Sequence, residues 1–167
     1  MGRKKIAVIT GASSGLGREF VRQLDADAMN QDPLFAEHPE ELWIIARREE
    51  RLLELEEETA LPVRVLAYDL TKKESILALQ ELLEEEQPDV QLLINAAGFG
   101  KIGATQDMPL ETLDAMIDLN CRAAVDMTQI CLPYMKKGAR ILEICSTAAF
   151  QPFSYLNVYA ATKAFLY

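Results

Sequence analysis

The feature that most constrains this chain is a short apolar run that stops at a cluster of glycines. Lys5–Thr10 reads KIAVIT, and Gly11-Ala12-Ser13-Ser14-Gly15-Leu16-Gly17 follows at once. An apolar run of this length fits a strand covered on both faces. The turn after it opens a helix around Gly15 to Gly17. Four more short apolar runs follow: Leu42–Ala46, Val63–Tyr68, Val90–Asn95 and Arg140–Cys145. Stretches of helical character separate them. Thr71 with Glu74 three residues on predicts a capping box and a helix through roughly Glu86. Residues 109–138 read as one long helical region, broken near Asn120 and stopped around Gly138. The last helix is expected to start near Ser154 and to be still running at Tyr167.

Alternating strands and helices imply a parallel sheet with right-handed crossovers. The expected fold is α/β, a Rossmann-like, doubly wound sheet in three α/β/α layers, and residues 1–167 form one domain. Residues 25–41 are a long connection that the pattern does not place.

In such a sheet the first strand–helix turn is where a phosphate binds. Gly11 permits the tight turn, Gly15 lets a pyrophosphate approach the backbone, and Gly17 lets the helix pack close to the sheet. The helix N-terminus supplies unpaired N–H groups, and Ser13 and Ser14 add hydroxyls. Leu16 completes the turn. The spacing is G-x-x-x-G-x-G rather than G-x-G-x-x-G. Glycines in a turn say little alone; the strand before and the helix after carry the reading of a nucleotide site.

The second strand run ends in Ala46-Arg47-Arg48. A site for NAD usually places an acid there, against the ribose hydroxyls. Two guanidiniums suit a 2′-phosphate instead, so NADP(H) is preferred over NAD(H). Cations at a helix start are unfavourable, which favours a ligand role over a merely solvated one.

Three further features close the pattern: Asn95-Ala96-Ala97-Gly98 after the fourth run, Ser146 after the fifth, and Tyr159-x-x-x-Lys163 in the last helix. Taken singly, Asn120 reads as a helix cap, Ser146 as a turn residue and Tyr159/Lys163 as a common helical spacing. Together and in order, TGxxxGxG, NAAG, Asn120, Ser146 and YxxxK closely resemble the short-chain dehydrogenase/reductase family, in its single-domain oxidoreductase branch. The larger-domain epimerases and dehydratases usually carry TGxxGxxG, which the spacing of Gly11, Gly15 and Gly17 disfavours.

The resemblance implies a carbonyl–alcohol oxidoreductase with a catalytic set of Asn120, Ser146, Tyr159 and Lys163. Tyr159 would be the general acid and base. A free tyrosine titrates near pH 10, and bringing one to about 7 needs roughly 4 kcal/mol of preference for phenolate. An ammonium one helical turn away can supply part of it. Lys163 would also bind the nicotinamide ribose, Ser146 would polarise the substrate oxygen, and Asn120 would hold a helix irregularity and a water. Ala160, Ala161 and Ala164 would let the cofactor lie close to the helix. Asp69 and Leu70 would contact the adenine, and Asn95, Ala96, Ala97 and Gly98 the adenosine side. The departure is Glu143, where the family often carries asparagine or an apolar residue; a carboxylate inside that strand needs a partner.

Composition bounds the rest. The chain has 167 residues, 50% of them hydrophobic, with a net charge of −9 and a pI near 4.7. That acidity gives no electrostatic footprint for nucleic acid or an anionic membrane, so the expected partner is a small carbonyl or alcohol. Cys121, Cys131 and Cys145 show no metal-ligand spacing and read as reduced core thiols. The apolar N-terminal run is too short for a signal or membrane segment, and the expected compartment is the cytoplasm. His38 reads as a solvated loop histidine. A homodimer or homotetramer is expected from the family alone. The family's domain continues past the lysine helix with two strands and a substrate-covering lid, so the chain is read as a C-terminally incomplete portion of a longer enzyme. The alternative is a catalytically silent or truncated NAD(P)-binding relative acting as a sensor or scaffold.

Overall fold

The computed structural model describes residues 2–30, 38–151 and 153–167. Five parallel strands form one sheet: β1 (Lys5–Thr10), β2 (Glu41–Ala46), β3 (Val63–Ala67), β4 (Asp89–Asn95) and β5 (Arg140–Glu143). Their spatial order is β3-β2-β1-β4-β5. This is the Rossmann-like α/β arrangement expected from the alternating pattern. The direction of winding reverses between β1 and β4, which is where such sheets open a crevice at their carboxyl ends.

Among the described residues, five α-helices lie between the strands, α1 (Gly15–Asn30), α2 (Glu49–Glu58), α3 (Lys73–Glu86), α4 (Leu110–Ile117) and α5 (Ala123–Cys131), and α6 (Asn157–Leu166) follows β5. Alternate strand residues feed two cores. Ile6, Val8, Trp43, Ile45 and Leu93 pack with Leu79 and Leu83 of α3 and Met127 of α5. Ala7, Ile9, Leu42, Ile44 and Ile94 pack with Val21 and Leu24 of α1 and Leu52 and Leu55 of α2. A two-residue side-chain period against helices on both faces explains why the strands read as continuous apolar runs.

Several boundaries differ from the sequence reading, each for a local reason. Thr71 and Glu74 form no capping box. Lys72 occupies the N-cap of α3 without a side-chain cap bond. The Thr71 hydroxyl and amide instead donate to Asp69 Oδ1, at 2.8 and 3.0 Å. β5 ends at Glu143 rather than Cys145, because the chain turns and the Cys145 amide donates back to the Glu143 carbonyl. Glu143 thus closes the strand instead of lying mid-strand. The helical region after Pro109 is α4, a π turn at Asp118–Arg122, then α5. Regular helix stops at Cys131, well before Gly138, since Pro133 has no N–H for the ladder and only a 3-10 turn follows. α6 starts at Asn157 instead of Ser154. α1 extends to Asn30 and takes up the first part of the long connection; positions 31–37 lie outside the described residues. His38 is half-buried, before β2, at the opposite end of the sheet from the glycine turn.

Candidate active site

The carboxyl ends of β1, β2, β4 and β5 surround a cleft of about 460 Å³. At one end stands the glycine turn. A Cβ on Gly17 would lie 2.4 Å from the Gly11 carbonyl oxygen, so α1 sits against the turn with no room for a side chain. Gly15 has φ +58°, and a Cβ there would meet nothing within 4 Å. One glycine closes the packing; the other leaves the cleft side of the turn bare. That bare backbone beside a helix N-terminus fits a pyrophosphate.

Arg48 reaches across from β2. Its Nη2 donates to the Ser13 and Ser14 hydroxyls, at 3.0 Å each. Arg47 lines the same cleft, as do Asp69 and Leu70 after β3. Burial alone would push the Asp69 carboxyl up. The Thr71 hydroxyl and amide outweigh it, helped by Arg47 and Lys72, and hold the group below the usual range.

The loop after β4 forms the far wall. Thr10 Oγ1 accepts from the Ala96 and Ala97 amides at 3.0 Å each and donates to the Ile94 carbonyl. Asn95 points beneath the cleft instead of into it. It is 5% exposed, and its Nδ2 donates to Glu143 Oε1 at 2.6 Å. One oxygen of Glu143, Oε1, therefore has a partner, while Oε2 is buried without one.

Tyr159 and Lys163 enter the cleft from α6. Lys163 is 6% exposed, and its Nζ donates to the Ile144 carbonyl at 2.6 Å. That nitrogen lies 5.8 Å from the centre of the Tyr159 ring. Burial pushes the Lys163 ammonium down, while Cys145, Glu143 and Cys121 pull against that shift. Asn120 stands behind the pair, in the π turn. Its Oδ1 accepts from the Phe99 amide; its Nδ2 donates to the Phe99 carbonyl and to Thr162 Oγ1, at 2.9 to 3.0 Å. A π turn inserts an extra residue, which aims Asn120 inward, at the cleft wall.

Of the expected site residues, Gly11, Ser13, Ser14, Gly15, Leu16, Arg47, Arg48, Asp69, Leu70, Ala96, Ala97, Gly98, Tyr159 and Lys163 line one cleft. Gly17, Asn95 and Asn120 support it from behind. Ser146 does neither: its hydroxyl accepts from the Ala148 amide at 3.2 Å and caps a 3-10 turn. Ala160, Ala161 and Ala164 are not cleft residues; Ala161 faces a separate groove with Ile117 and Cys121. Of the three thiols only Cys131 is fully buried, and desolvation pushes it up to about 12. Cys145 lines the cleft. The sequence reading had Thr10 only as the first residue of the TGxxxGxG motif, without a role, and missed Thr162 and Gly100 as parts of the site. A hydroxyl on the last residue of β1 was the available signal for Thr10; the other two depend on contacts far apart in the chain.

Residues 5–167 match the family described as short chain dehydrogenase. The chain belongs to that family. It is 34% identical over 167 residues to sulfoacetaldehyde reductase 2 of Chromohalobacter salexigens, covering 96% of this chain and 62% of that protein. It is 30% identical over 164 residues to the NADP-dependent 3-hydroxy acid dehydrogenase YdfG of Escherichia coli, again covering 96% and 62%. A short-chain dehydrogenase from Sphingobium yanoikuyae, solved in complex with NADPH, superimposes with a TM-score of 0.78 at 28% identity. That match covers 97% of this chain and 61% of the other. The chain thus spans less than two thirds of the length of these relatives. Among the described residues, no helix is long and apolar enough to cross a membrane.

Proposed function

We propose that the protein is an NADP(H)-dependent oxidoreductase that interconverts a carbonyl and an alcohol, with Tyr159 as general acid and base. The observation that carries this reading is the shared cleft: a glycine turn and two arginines at one end, and a tyrosine with a buried lysine at the other. Two of the relatives named above are an NADP-dependent dehydrogenase and a protein solved with NADPH, which supports the same cofactor here.

The residues divide the work by position. The bare backbone at Gly15 and the α1 N-terminus take the pyrophosphate. Arg48, held over the turn by Ser13 and Ser14, faces a 2′-phosphate, and Arg47 adds charge beside it. Asp69 and Leu70 border the adenine end. The nicotinamide, when bound, supplies or accepts the hydride. Tyr159 gives its phenolic proton to the substrate oxygen as the alcohol forms, and takes it back in the reverse direction. The Lys163 ammonium favours negative charge on that phenol as the proton leaves. Asn120 fixes both the Phe99 backbone and Thr162, the residue preceding Lys163, and so keeps the reacting end in register.

A cofactor-binding protein without turnover is the second reading, and the capping bond of the Ser146 hydroxyl favours it. Titration with NADPH and NADH, followed by reduced-nicotinamide absorbance with a panel of ketones and aldehydes, separates the two. The expected result is tighter binding of NADPH and turnover that Tyr159→Phe abolishes without loss of cofactor affinity. Binding without turnover supports the second reading; turnover by the phenylalanine variant refutes the role of Tyr159.

A further inference from the structure

Lys163 is buried and Glu143 half-buried, and neither has a direct ion pair among the described residues. Lys163 Nζ makes one hydrogen bond, to the neutral carbonyl of Ile144. Glu143 is the residue before that carbonyl. Its Oε1 accepts from Asn95 Nδ2, with Thr128 Oγ1 at 3.4 Å, but its Oε2 is buried with no hydrogen-bond partner. Neither residue takes part in an ion pair among the described residues. A buried ammonium and a carboxylate oxygen sealed from water are each costly alone. Here the ammonium comes from α6 and donates to the carbonyl of the residue that follows Glu143, so that carbonyl lies between the two groups with its dipole pointing at the ammonium.

We infer that Glu143 is a positioning residue for Lys163: its charge compensates the buried ammonium across the Ile144 carbonyl and keeps Lys163 charged and seated there. The carboxylate is itself held in place by Asn95, its register partner on β4. The titratable groups that face Lys163 are Glu143 at the end of β5, Cys145 in the turn just after it, Cys121 from the π turn and Tyr159 from its own helix. Glu143 is the carboxylate among them. Cys121 is held above the ordinary thiol range by burial, so it brings no charge at neutral pH. The inference rests on the reading of Lys163 as the partner of Tyr159, and its test is independent of cofactor.

The test is a pH titration of the Lys163 Cε resonance by NMR in the full chain with carbon-13-labelled lysine and no cofactor, the peak assigned by its loss in Lys163→Arg. Glu143→Gln keeps an acceptor for Asn95 and removes the charge. Its Lys163 midpoint is expected to move to lower pH by about half a unit or more, roughly a threefold loss of proton affinity. Thr128→Val, which keeps the charge, is expected to leave the midpoint in place, and Glu143→Asp to restore most of it. An unmoved midpoint in Glu143→Gln overturns the inference, as does an equal shift in Thr128→Val. Glu143→Asn is the second neutral variant. If neither neutral variant folds, the carboxylate is a requirement of the core and the inference also fails. Absence of NADPH binding by the wild-type chain would overturn the cofactor reading and leave the titration result to stand by itself.

Discussion

Two glycines four and six positions after the same turn residue should fail in opposite ways when given a methyl group. A Cβ on Gly17 would lie 2.4 Å from the Gly11 carbonyl oxygen, 2.6 Å from the Gly11 carbonyl carbon and 3.0 Å from the Thr10 carbonyl oxygen. All three atoms are backbone, so no side chain can rotate away, and the turn must separate from α1. Overpacking of this kind costs about 3 kcal/mol, the upper part of the usual range. In a domain of this size that lowers the melting temperature by roughly 6–12 °C. At Gly15 the same methyl meets nothing within 4 Å. Its cost is the left-handed backbone, about 1–2 kcal/mol, partly offset by about 0.4–1 kcal/mol from a stiffer unfolded chain. The net of about 1 kcal/mol moves the melting temperature by only roughly 2–4 °C. Under the proposed function that methyl would occupy pyrophosphate space, so NADPH affinity should fall about tenfold or more, the equivalent of 1.4 kcal/mol. Thermal melts and NADPH fluorescence titrations of Gly15→Ala and Gly17→Ala check both halves. Wild-type NADPH affinity in Gly15→Ala would refute the phosphate cradle, and a wild-type melt in Gly17→Ala would refute the close packing of turn and helix.

Arg48→Ala should weaken NADPH about tenfold to a hundredfold, as expected for a lost charge-assisted contact, and change NADH affinity little; parallel titrations with both nucleotides decide it. Asp69 has a folded-state pKa below its unfolded value, so its contribution to stability is present above the ordinary aspartate range and is lost as pH falls through the folded value. Asp69→Asn should therefore be less stable than wild type at neutral pH, with the gap closing below about pH 4, by denaturant unfolding at a series of pH values. Asn120→Ala leaves the Phe99 amide and carbonyl and the Thr162 hydroxyl without their bonds to that side chain. A cost of about 3 kcal/mol is expected, and differential scanning calorimetry reads it as a fall of roughly 6–12 °C.

The strands were legible because burial on both faces writes itself into sequence as unbroken apolar runs; all five were located to within two residues. The glycine turn was legible because strand, turn and helix are neighbours in the chain. What failed was set by competition or by distance. Thr71 and Glu74 satisfied the pattern for a cap, but Asp69, two residues upstream, captured the Thr71 hydroxyl and amide first. The partner of Glu143 is Asn95, 48 positions away, and only the register of β4 against β5 brings them together. Asn120 reaches Phe99 and Thr162 across 21 and 42 positions. Its place in a helix break was readable; its bonds were not. Ser146 stands where the pattern puts it, but its hydroxyl direction is decided by the turn that follows.

The loop after β4 explains why its sequence is so plain. Thr10 binds the amides of Ala96 and Ala97, and Asn120 binds both backbone groups of Phe99. A Cβ on Gly98 would lie 3.0 Å from Asn120 Oδ1, and one on Gly100 would lie 2.9 Å from the Tyr159 ring. Each contact is made to backbone or to the absence of a side chain. The segment therefore acts as a rail that fixes three elements at once: β1 through Thr10, the π turn through Asn120, and α6 through the ring of Tyr159. A side chain at position 98 or 100 would press on Asn120 or on the Tyr159 ring, so glycine at those two positions follows from what surrounds the loop. The same rail sets the spacing between the glycine turn and the Tyr159–Lys163 pair, which is the spacing that the proposed dinucleotide would span.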